Sequence, residues 1–138
     1  MFFRKNNNDN QYDDLSKIGA LLIHAAKIDQ NYSNKEEEII KKTLLLIGAN
    51  NENINKILEN AKKIEENSNQ ILEFTKQVKN MENKNKIRVV ESLWKIIYSN
   101  NEADIYETNL MRRLTGLLYI DSKVMGDIKE KIKNENSQ

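Results

Sequence analysis

Apolar residues recur along this chain at three- and four-residue intervals, and nowhere do they alternate as in a strand. Leu15, Ile18, Leu22, Ala25 and Ala26 form one stripe between about Tyr12 and Ile28, the period of an amphipathic helix. A second helix follows Ser33 and buries Ile39, Ile40, Thr43, Leu44 and Ile47 before Gly48 ends it. A third, from about Glu52 to Glu66, turns Ile54, Ile57, Leu58, Ala61 and Ile64 inward. Asn67-Ser68-Asn69 interrupts the pattern, a short fourth helix carries Ile71, Leu72, Phe74 and Val78, and residues 80–85 form a polar turn. The fifth, from about Lys86 to Ser99, aligns Ile87, Val90, Leu93, Trp94 and Ile97. Leu110, Met111, Leu114, Leu117 and Leu118 mark a sixth, and Val124, Met125, Ile128 and Ile132 a last one capped by Asp121. The pattern predicts an all-α, compact bundle of about seven helices.

Leu21 and Ile23 widen the apolar face of the first helix beyond one stripe. Such a face belongs either to a central, well-covered helix or to a dimer contact, so the oligomeric state stays open. The domain is expected over residues 12–133, between a polar, mobile segment 1–11 and a disordered tail 134–138.

Two corners of this pattern share a phrase. Residues 29–36, Asp-Gln-Asn-Tyr-Ser-Asn-Lys-Glu, and residues 100–107, Asn-Asn-Glu-Ala-Asp-Ile-Tyr-Glu, each follow one helix and open the next, 71 residues apart. The same offset sets Leu22 on Leu93, Ala26 on Ile97, Ile39 on Leu110 and Ile47 on Leu118. Core positions fall on core positions, as expected of an internally duplicated helix-loop-helix with pseudo-twofold symmetry. In each copy a capping residue (Ser33, Asp104) precedes a glutamate (Glu36, Glu107) by three positions, the pattern of a capping box.

Composition narrows the chemistry. The 22 basic and 21 acidic residues nearly cancel, which removes the broad positive field that nucleic-acid binding needs. Without cysteine there is neither a disulfide framework nor a thiolate metal site. One histidine, His24, cannot build a histidine zinc site or a Ser/His triad, and is expected half-buried and hydrogen-bonded. There is no glycine-rich phosphate loop and no HExxH, so an enzyme is not expected. No apolar run approaches a membrane span, and the start lacks a signal peptide's apolar centre, so the expected location is the cytoplasm. Phe2 and Phe3 offer docking on the domain or peripheral contact with a membrane surface, though two phenylalanines fall short of an anchor helix.

The corners carry the one polar constellation with a claim to chemistry. Asp29, Asn31, Ser33 and Glu36 offer oxygens in the first; Asn100, Glu102, Asp104 and Glu107 do so in the second. Oxygen-only donors suit a hard divalent cation of the calcium or magnesium type. An EF-hand is excluded, because its obligatory glycine and final glutamate would fall on Asn34 and Ile40 in the first corner and on Ile105 and Met111 in the second. The competing reading makes Ser33, Glu36, Asp104 and Glu107 plain helix caps.

With its two corners, Ala25-Ala26-Lys27-Ile28-Asp29-Gln30 through Glu36 and Leu93-Trp94-Lys95-Ile96-Ile97 through Glu107, the chain resembles the TerB-like family of tellurite-resistance proteins over residues 12–133. Gln30 and Asn101 stand where the family pattern has glycine, and Asn100 where it has aspartate. The resemblance implies a helical domain with internal pseudo-symmetry, metal-ion sensing or binding in a stress response, and an unidentified protein partner. The alternative is a purely structural protein–protein adaptor whose loops bind nothing. Arg112 and Arg113, with Lys95 and Arg88, suggest a small basic surface, and Trp94, Tyr98, Tyr106 and Tyr119 suggest either core filling or a partner groove.

Overall fold

A computed structural model describes residues 2–28, 33–67, 72–100 and 105–136, with the side chains of 12–28, 33–67, 73–99 and 109–135. Among them are seven α-helices and no strand: α1 (Phe2–Lys27), α2 (Asn34–Ile47), α3 (Ile54–Asn67), α4 (Leu72–Lys79), α5 (Asn83–Ile97), α6 (Ile105–Leu117) and α7 (Ser122–Asn136). A single 3-10 turn, Tyr98–Asn100, extends α5. No described helix is long and apolar enough to cross a membrane.

Helix α1 occupies the centre. It lies along α3 and also packs against α4, α2 and α5. Ala20, Leu21, Leu22, Ile23, Ala25 and Ala26 are all buried, so its apolar surface runs most of the way round. That resolves the wide face of the sequence: Leu21 and Ile23 are covered by the chain's own helices. The α1–α3 approach is close because position 19 is glycine. A Cβ built there would lie 2.9 Å from the Cβ of Ala61 and 3.5 Å from Leu44 Cδ1.

The outer helices bury the stripes that periodicity assigns to them. Ile40, Thr43 and Leu44 of α2, Ile54, Ile57, Leu58 and Ala61 of α3, and Val90, Leu93, Trp94 and Ile97 of α5 are buried, while Ile39, Ile47, Ile64 and Ile87 are partly so. Gly48 ends α2 with φ 141°, a conformation that a side chain resists, and its N–H reaches the Leu44 carbonyl. Asp121 caps α7 through Oδ1, which accepts from the Lys123 N–H at 2.9 Å.

Several boundaries and one face differ from the sequence expectation. Val124, assigned inward, is 38% exposed, because α7 turns Met125, Ile128 and Ile132 to the core and these already fill its contact with α5. Helix α1 begins at Phe2 rather than near Tyr12. Its early residues are polar but include no proline or glycine before Gly19, so nothing in the backbone chemistry stops the helix. Helix α5 likewise starts at Asn83, which shortens the polar turn expected over residues 80–85. Ile71 lies outside the described residues.

Candidate functional site at the two helical corners

The first corner is built on Ser33. Its backbone is extended (φ −98°, ψ 164°), which lets its hydroxyl face back into the first turn of α2. Oγ accepts from the Glu36 N–H at 3.2 Å, and the Ser33 N–H donates to Glu36 Oε1 at 2.9 Å. The hydroxyl itself donates to the same Oε1 at 3.0 Å. The capping box expected from the sequence is therefore formed. It satisfies two backbone donors that α2 would otherwise leave open, a contribution of about 1 kcal/mol for a cap of this kind.

Glu36 is only 1% exposed. A buried carboxylate is costly unless it accepts hydrogen bonds, and the Ser33 donors supply them beside the positive end of the α2 macrodipole. Glu37, next in the same turn, pairs with Lys62 of α3 at 2.7 Å. Lys35 reaches the other way. Its Nζ donates to the Ser99 carbonyl at 3.5 Å, in the 3-10 turn that follows α5. The start of α2 and the end of α5 are therefore neighbours.

Of the eight candidate oxygen donors, Ser33 and Glu36 are described in full, and both are engaged in the cap. Asn100 closes the 3-10 turn and Glu107 lies in α6, with their side chains outside the described residues. Asp29, Asn31, Glu102 and Asp104 lie outside them altogether, and the expected Asp104/Glu107 cap with them. Among the described residues no three histidine, cysteine or acidic side chains gather as metal ligands would.

His24 is half-buried on α1, as the sequence suggested. Burial pulls its pKa below the ordinary value, Arg113 and Lys27 add to that depression, and Glu65 of α3 opposes it. Glu65 is paired with Lys27 at 2.8 Å. These four groups form a charged seam at the end of α1.

Two features escaped the sequence. Ser92 sits on a buried face of α5 and meets Thr43, with nothing in its spacing to mark it. Tyr119 has φ 55°, a left-handed backbone more typical of glycine. The signal available was the run after α6, where the glycine that usually ends a helix this way is missing.

A family model described as "Tellurite resistance protein TerB" matches residues 16–130 of the 138-residue chain. No curated protein matches the chain, and no solved structure does. The matched span runs from the middle of α1 into α7 and includes both corners, so the chain belongs to the TerB family.

Proposed function

We propose that this chain is a non-catalytic, cytoplasmic sensor domain of a stress response, in which a divalent cation of the calcium or magnesium class bridges two duplicated corners and alters how the bundle meets a protein partner. The observation that carries this reading is the Lys35–Ser99 contact, which supports a common location for the two corners at one end of the fold. The sequence then offers five carboxylates for one site, Asp29, Glu36, Glu102, Asp104 and Glu107, with Asn31, Ser33 and Asn100 as neutral oxygen donors. Such a set suits a hard cation, whose sites are built from carboxylates and carbonyl-type oxygens. The cap leaves Ser33 and Glu36 as the frame that orients α2, with the remaining donors nearest the ion.

The test is a titration of the whole chain with calcium, magnesium or manganese while backbone amide shifts are recorded. Shifts confined to residues 29–36 and 100–107 support the reading. Unchanged amides at Asp29 and Asn100 up to millimolar metal contradict it.

A second reading, the structural adaptor, is favoured by the burial of Glu36 and its engagement by Ser33. On that reading the corners only fasten helices, metal leaves the spectrum unchanged, and partner binding is insensitive to chelator.

A further inference from the structure

Away from the corners, α4 and the end of α6 enclose a groove of about 330 Å³ lined by Thr75, Lys76, Lys79, Gly116, Leu117 and Tyr119. It lies at the far end of α6 from the second corner, about 18 Å along the helix at 1.5 Å per residue. Both ionisable side chains in the lining other than Tyr119 are lysines, three residues apart on α4 and so on one face. Lys79 Nζ lies 4.4 Å from the centroid of the Tyr119 ring.

Tyr119 is the unusual member. Helix α6 closes with two hydrogen bonds, Ile120 N–H to the Thr115 carbonyl at 3.2 Å and Tyr119 N–H to the Gly116 carbonyl at 3.3 Å. This is the Schellman closure, whose left-handed position glycine fills most cheaply. A tyrosine stands there instead, at φ 55°, with 73% of its surface exposed. The fold gains little burial from that ring. Its placement is understandable if the ring is the wall of a recognition site, where strained backbone tends to collect. Lysines near helix C-termini also balance the macrodipole, as Lys86 does by donating to the Leu118 carbonyl at 3.0 Å. That role does not account for an exposed aromatic in a glycine position.

We infer that this groove docks a short acidic segment of a protein partner, one carboxylate held by Lys76 and Lys79 and a neighbouring apolar side chain seated against Leu117 and Tyr119. The volume is at the lower end for ligand sites, enough for one anchor side chain rather than a long chain. A nucleic acid is the poorer fit, because the chain's formal charge is only +1 and offers no broad basic field. The groove and its lysines do not depend on the cation reading.

The test uses the whole chain in chelator-containing buffer at low ionic strength, titrated with a blocked tetrapeptide of glutamate, phenylalanine and two further glutamates. Amide shifts centred on Lys79, Gly116, Leu117 and Tyr119 are expected, and K76E/K79E should weaken binding at least roughly tenfold by reversing the charge complementarity. Tyr119→Gly relieves the backbone and preserves the fold, so its weaker binding, at an undiminished melting temperature, assigns the loss to the ring. The inference is overturned by shifts elsewhere or none, by Y119G binding as the parent does, or by inorganic phosphate or a single-stranded oligonucleotide producing the same response as the peptide.

Discussion

Thr43 and Ser92, 49 positions apart in sequence, meet hydroxyl to hydroxyl at 2.8 Å in the core between α2 and α5. Thr43 Oγ1 also lies 2.9 Å from the Ile39 carbonyl one turn back. With one proton on each hydroxyl, Thr43 donates to that carbonyl and accepts from Ser92, which satisfies both buried groups. The two helices that flank the corners are thereby tied in register by a polar contact inside an apolar core.

Removing both members should cost less than the sum of the two single removals. Thr43→Val leaves the Ser92 hydroxyl without its acceptor and is expected to destabilise by about 1–2 kcal/mol, and Ser92→Ala by about 1 kcal/mol. The double variant should lose less than the two single losses together, with a coupling of about 0.5 kcal/mol or more. Urea denaturation of the four proteins measures it; strict additivity would mean that the hydroxyls do not interact.

Two glycines should respond with opposite sign to the same substitution. Gly19→Ala gains helix propensity but drives a methyl to 2.9 Å from Ala61 Cβ, at a close helix–helix contact with little room to yield. Overpacking of about 1–3 kcal/mol exceeds the propensity gain of about 1 kcal/mol, so a net loss is expected. Gly126→Ala in α7 meets no atom within 4 Å and should stabilise by about 0.5–1 kcal/mol. Thermal melts of the two variants give the signs.

The cap at the first corner is a separable contribution. Ser33→Ala removes the acceptor for the Glu36 N–H and a donor to Oε1, and should cost about 1 kcal/mol in chemical denaturation. Ser33→Asp, another strong capping residue by preference, brings a second carboxylate beside buried Glu36 and should not restore the parent stability. Recovery by aspartate would place the two carboxyl groups further apart than the capping box puts them.

Acid should weaken the fold through His24. Its native pKa lies below the unfolded value of about 6.5, chiefly through burial and also through Arg113 and Lys27, against Glu65. Below that value the unfolded chain binds more protons than the native one, so stability rises with pH across the window. The contribution is complete above the unfolded value and is lost as pH falls through the native pKa. Denaturation midpoints between pH 7.5 and 5, compared for the parent and His24→Asn, isolate it, because the two proteins differ only at the imidazole. A parent curve that rises relative to the variant on acidification would reverse the sign.

Much of this architecture was legible because it depends on local rules. Apolar period marks all seven of the described helices, and the serine-to-glutamate spacing marks the Ser33/Glu36 cap. Leu21 and Ile23 announced an unusually wide face, but only the packing of α2, α3, α4 and α5 around α1 decided between a covered helix and a dimer seam. Val124 departs from its stripe because a stripe read by period is one residue too wide when the neighbouring helix covers only part of it. Thr43–Ser92 and Lys35–Ser99 are tertiary contacts between distant positions, which single-chain periodicity does not encode. Tyr119 reads as one of several aromatics in the sequence, since a side chain in a left-handed position contradicts the residue preference by which such positions are recognised. Of the candidate corner site, the Ser33/Glu36 cap is legible in the sequence and formed; the Asp104/Glu107 cap and the remaining cation donors have side chains outside the described residues.

A shared cation site makes a demand on stoichiometry that separate loops do not. Calorimetric titration of the whole chain with calcium, repeated on Asp29→Asn with amide shifts recorded for both corners, is the direct measurement. One ion per chain, with Asp29→Asn silencing the metal response of residues 100–107 as well as 29–36, is the expected result. Two independent ions, a second corner indifferent to Asp29, or no heat and no shifts at all would contradict it.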